Sequence, residues 1–193
     1  MLKRILLTGP IALALLLIAS SAHANPITYE SIMNGANEVP PVASPGIGIG
    51  FFTLNGNMLT IDITFAGLTA PASAAHIHCC VPQGNNAVVA VPFTGFPATT
   101  SGKYTNTVDL SLAATYNSAY ITQEGGTVAA AEADLIAALN SYNAYSNIHN
   151  ANNPGGEIRG WLVATPEPGS LLLLGTGLIG AVKLIRRGAS AQA

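Results

Sequence analysis

The chain has 193 residues, 49% of them hydrophobic and only 8% charged, far below the roughly 25% charged content of ordinary soluble domains. Between Asn25 and Thr165 two basic residues (Lys103 and Arg159) stand against eight acidic ones, a net −6, while the other basic residues lie near the two ends. A surface of that sign repels phosphate backbones and offers no basic patch to anionic lipid, which excludes nucleic acid as a partner.

The N-terminal end opens on Lys3 and Arg4, continues through an apolar run over residues 5–18, and closes on Ala22-His23-Ala24. Charge, apolar run and small-x-small site in that order form a secretory signal peptide over residues 1–24, so the mature chain is expected to begin at Asn25. The apolar run is short of the roughly 20 residues that a membrane span needs.

The segment that follows, residues 25–164, is dominated by alternation of apolar and polar residues. Leu59, Ile61, Ile63 and Phe65 alternate with Thr60, Asp62 and Thr64, the pattern of a half-buried strand. A glycine-rich apolar strand over 46–54 precedes it, and Asn55-Gly56-Asn57 joins the two as a hairpin. Further strands are expected over 74–78, 87–91, 103–110, 145–150 and 157–163, the last two separated by the turn sequence Asn152-Asn153-Pro154-Gly155-Gly156. One helix interrupts the series: Thr127 caps an alanine-rich stretch over 128–139 with Leu135, Ile136 and Leu139 as its apolar stripe. Many short strands joined by Gly/Pro turns indicate an all-β sandwich or barrel.

Three groups of residues bear on chemistry. His76 and His78 are two apart in an expected strand and so project from one face. With His149 from another strand they form a copper or zinc constellation, or else imidazoles that hydrogen-bond within the fold. Cys79 and Cys80 are the only cysteines; in an oxidising compartment they close as a vicinal disulfide, ligate a soft metal, or cross-link chains. Disulfide and cysteine ligation exclude each other. Glu157 and Arg159 share a face of the last strand and are expected to form a structural ion pair. No nucleophile elbow, phosphate loop or dinucleotide fingerprint is present, so no catalytic residue is assigned and a non-enzymatic role is favoured.

The tail, residues 165–193, runs Pro166-Glu167-Pro168, an apolar stretch over 171–185 expected to be a hydrophobic tail helix, then Arg186-Arg187. It resembles the PEP-CTERM sorting domain, whose members are cut near the Pro-Glu-Pro motif by an exosortase. The resemblance implies a membrane segment present before processing, with the arginines on the cytoplasmic side, in a Gram-negative-type envelope. A plain single-span anchor is the alternative. Residues 188–193 extend past the arginines, where such tails usually stop.

Asn34-Gly35-Ala36-Asn37-Glu38-Val39-Pro40-Pro41-Val42, Ala74-Ala75-His76-Ile77-His78 and Tyr145-Ser146-Asn147-Ile148-His149 with Asn153-Pro154-Gly155-Gly156-Glu157-Ile158-Arg159-Gly160 together resemble the CHRD domain. That resemblance implies an immunoglobulin-like antiparallel β-sandwich and no activity. The expected protein is therefore an exported surface or matrix protein. Its expected partners are the export machinery, an exosortase, and exopolysaccharide or other surface proteins. A copper- or zinc-binding, redox-active protein is the alternative.

Overall fold

The computed structural model describes residues 25–165 together with 176, 178 and 179. The strands are β1 (Ile27–Asn34), β2 (Ile47–Asn55), β3 (Met58–Ala66), β4 (Ala72–Cys79), β5 (Val89–Pro92), β6 (Gly102–Asp109), β7 (Ala144–Asn150), β8 (Ile158–Trp161) and β9 (Val163–Ala164). Two α-helices, α1 (Ser118–Gln123) and α2 (Val128–Asn140), lie between β6 and β7. The helix expected over 128–139 is α2, and Thr127 caps it by accepting the Ala130 N–H at 3.2 Å. A single helix was expected, and α1 is the second.

All pairings are antiparallel, in the order β5-β4-β7-β8-β1-β2-β3-β6, with β9 beside β1. The strands thus form one continuous sheet where two separate sheets were expected. The two halves of that sheet meet where β1 pairs Asn34 with Arg159 of β8, and Glu30 and Tyr29 with Val163 and Ala164 of β9. The sheet curls around one core. Tyr29, Met33, Phe52, Ile61, Ile63, Ile77, Ile148 and Ile158 face inward, and Leu135 and Leu139 of α2 pack into the same core. Tyr29 also donates its hydroxyl to Asn140 Oδ1 at 2.8 Å, tying β1 to the end of α2.

Register then decides what lies on the other face. His76 and His78 of β4 stand opposite Asn147 and Tyr145 of β7. These in turn stand opposite Arg159 and Trp161 of β8, and Arg159 opposite Asn34 of β1. Paired residues in a ladder point the same way, so the three histidines, Tyr145, Arg159 and Trp161 share the outer face with Ile32, Ile49 and Phe51. Among the described residues no helix is long and apolar enough to cross a membrane. Of the expected tail helix only residues 176, 178 and 179 are described, and Pro166, Glu167, Pro168, Arg186 and Arg187 lie outside the described residues.

Candidate metal centre

Alternation along β4 puts His76 and His78 side by side, with ring centroids 5.6 Å apart. His149 pairs with Ala74, one step diagonal to His76, and the methyl of Ala74 leaves its ring room to lean across. Its centroid lies 5.0 Å from His76 and 6.0 Å from His78. One nitrogen from each ring falls within 4.8 Å of the others. A metal held at about 2.0–2.1 Å by each needs a tighter triangle than that.

The hydrogen bonds identify the nitrogens. His78 Nδ1 lies 2.9 Å from the Ala87 carbonyl, and His149 Nδ1 lies 3.0 Å from the Pro154 carbonyl. A carbonyl only accepts, so each Nδ1 carries the proton and each Nε2 keeps its lone pair. Those two Nε2 atoms and His76 Nδ1 are buried and have no hydrogen-bond partner. A buried polar atom without a partner is costly, and here one lies on each of three clustered rings. Backbone carbonyls that fix a tautomer and aim the opposite nitrogen are the usual outer support of a metal-binding histidine.

Electrostatics keep the rings ready for a cation. Burial, reinforced by the neighbouring His149, pushes His76 down to about 4. Burial and the surrounding positive groups push His78 to about 4 against the Ala87 hydrogen bond, and burial also lowers His149. At neutral pH all three are uncharged, the form that ligates.

A polar and aromatic support backs the cluster. Tyr145 stacks on His78 at 4.8 Å and 7°, and its hydroxyl accepts the Ala87 N–H at 3.0 Å. The Arg159 guanidinium sits over the Tyr145 ring, 4.0 Å from its centroid, and Trp161 meets that ring edge-on at 4.9 Å. Arg159 Nε lies 3.2 Å from Glu38 Oε2, with both side chains buried, and its Nη2 donates to Asn86 Oδ1 at 2.5 Å. Asn147 Nδ2 donates to Glu38 Oε1 at 2.5 Å.

This corrects the expected Glu157–Arg159 pair. The chain turns at Gly156, whose φ of +126° precedes the start of β8 at Ile158. Glu157 therefore binds elsewhere, accepting from Ser44 Oγ at 2.5 Å, from the Thr69 N–H at 2.8 Å and from Asn150 Nδ2. Arg159 finds its carboxylate in Glu38, 121 residues earlier in the chain.

Cys79 and Cys80 are bonded to each other. Cys79 points away from the histidines into the core, and both sulfurs lie near the Tyr120 hydroxyl, at 3.3 and 3.5 Å. They form no part of the histidine cluster. Glu38, Asn147 and Tyr145 were not singled out as site residues from the sequence, although all three belong to the motifs read there.

Residues 29–162 match the family model of the CHRD domain. The chain belongs to the CHRD family. Residues 164–187 match the PEP-CTERM protein-sorting motif, which makes this CHRD protein an exosortase-sorted, extracellular, envelope-associated one. No curated protein and no solved structure matches the chain. The three CHRD motifs meet in space: Glu38 from the first, His76 and His78 from the second, and Asn147, His149 and Arg159 from the third make up one connected region.

Proposed function

We propose that this CHRD domain binds one copper or zinc ion outside the cytoplasm, through His76 Nδ1, His78 Nε2 and His149 Nε2. Three clustered rings carry the reading, each with a buried, unpartnered nitrogen and each offering one ring nitrogen within 4.8 Å of the others. Three neutral imidazoles suit either metal and leave a fourth position for water or a ligand. The reading is non-enzymatic: the domain holds or delivers a metal at the cell surface. In the same reading the signal peptide is removed before Asn25. The apolar segment 171–185 sits in the inner membrane until an exosortase cuts near Pro166-Glu167-Pro168, and intact mass of surface material should lack it.

The test uses protein stripped of metal and titrated with copper(II) and zinc(II) against a competing chelator. Trp161 is the sole tryptophan, and its ring touches the Tyr145 ring that stacks on His78. Copper(II) should therefore quench its fluorescence at one equivalent. His149→Ala should weaken binding by more than about a hundredfold, beyond the 10–100-fold cost of losing an outer-shell partner. Equal binding by the wild type and by a variant lacking all three histidines would sink the proposal.

A second reading, attachment to exopolysaccharide, is favoured by a surface groove lined by Trp161, Glu30 and Asn37. An indole beside a carboxylate and an amide suits the apolar face and the hydroxyls of a sugar ring. A Trp161 fluorescence shift with the producing cells' own purified polysaccharide, absent in Trp161→Ala, is its measurable consequence.

A further inference from the structure

The two ends of the domain leave it at one place. The N–H and the hydroxyl of Thr165 both donate to the Thr28 carbonyl, at 2.8 and 2.9 Å. Thr165 is thereby pinned beside the first residues of β1. The same row of the sheet runs from Ile27, paired with Leu54, to the 55–58 hairpin and on to Asp109, paired with Met58. Leu110 donates its N–H to the Asn57 carbonyl at 2.8 Å, so the chain after β6 borders this rim as well. Three large apolar side chains there are bare: Ile27 is 37%, Met58 43% and Leu112 53% exposed.

Only the five residues 166–170 separate Thr165 from the apolar segment 171–185. Fully extended, the six steps from Thr165 to residue 171 span at most about 22 Å. A tail held in a bilayer therefore keeps this rim within reach of the headgroups, and the signal peptide leaves the same rim at Asn25. We infer that in the uncut precursor the rim formed by Ile27, Met58 and Leu112 docks on the outer surface of the membrane that holds the tail. Its apolar side chains enter the interface. The inference rests on the reading that 171–185 lies in the bilayer before processing. Headgroup charge supplies no attraction: the carboxylate in register at this rim, Asp109, accepts from the Ser111 N–H and hydroxyl at 2.9 and 2.6 Å, which holds it in its charged form. Insertion of apolar side chains is what remains.

The uncut protein, reconstituted in phosphatidylethanolamine/phosphatidylcholine vesicles carrying a photoactivatable diazirine on an acyl chain, tests this. Adducts mapped by mass spectrometry should fall on peptides containing Ile27, Met58 and Leu112. Ile27→Ser/Met58→Ser/Leu112→Ser should reduce them by roughly tenfold while the protein still floats with the vesicles. A floating protein with no adducts on the domain, or with adducts confined to Ile32, Ile47 and Ile49, overturns the docking alone. An uncut protein that fails to float overturns the anchoring reading and the docking with it.

Discussion

Glu38 and Arg159 are buried to 3% and 2% exposure, a costly location for two charges unless each satisfies the other. Burial raises the Glu38 carboxyl above its ordinary value, against the pull of Arg159 and the hydrogen bond from Asn147. Glu38→Ala leaves the guanidinium uncompensated beneath Tyr145, and should cost about 3–5 kcal/mol, read from urea unfolding. A loss under about 1 kcal/mol, the scale of an exposed pair, would show that water reaches Arg159 here. Gly156 stands at the same junction. A Cβ there would lie 2.6 Å from Asn147 Nδ2 and 2.7 Å from Glu38 Oε1, at a φ of +126°. Gly156→Ala should destabilise by at least about 2 kcal/mol and disturb metal binding by shifting Asn147, the neighbour of His76 in register. At this scale the sequence was partly legible. The H-x-H spacing declared a shared face, because strand alternation is local. The partner of Arg159 was not readable, because no local rule links it to a glutamate 121 positions away.

At the level of elements, alternation located most strands, and its failures have causes. β1 was missed because its inward side includes the polar Ser31 and its outward side the exposed Ile32, which blurs the two-residue period. α1 has six residues, among them Tyr120, Ile121 and Thr122, types that favour strands more than helices. Where two sheets were expected the strands run on as one curled sheet, because β1 pairs with both β8 and β9, a connection that hydrophobic patterning alone does not reveal. The legible elements support two predictions. Thr127→Ala removes the α2 cap and should cost about 1 kcal/mol without touching the metal site. Cys79→Ala/Cys80→Ala should leave metal affinity unchanged within error, since the sulfurs lie toward Tyr120 and the core. A tenfold affinity loss in that variant, with its circular dichroism intact, would mean that the disulfide shapes the end of β4 and through it His78.

For the whole molecule, the histidine cluster should link stability to pH and to metal. In the fold His76 and His78 are pushed from the ordinary histidine value near 6.5 to about 4, chiefly by burial, and His149 moves the same way. Between about 4 and 6.5 the unfolded chain therefore binds more protons than the folded one. By linkage, stability rises with pH across that window: the contribution is present above about 6.5 and is lost as pH falls toward 4. Glu38 acts in the opposite sense, because its raised pKa lets the folded protein keep a proton that the unfolded chain releases. The wild-type slope is thus the difference between the two effects, and the three histidines must be removed to isolate theirs. Metal adds a further layer, since an ion bound only by the folded state stabilises it by RT ln(1 + [L]/Kd), and the same protonation that weakens the metal-free fold expels the ion. The expected thermal scans are specific. Zinc raises the melting temperature at pH 7, the metal-loaded and metal-free curves converge toward pH 4, and replacing His76, His78 and His149 with Gln flattens the acid slope and abolishes the zinc effect. A triple variant that kept the wild-type acid slope would place the pH sensitivity in the carboxylates, and a zinc effect surviving in that variant would place the metal elsewhere in the chain.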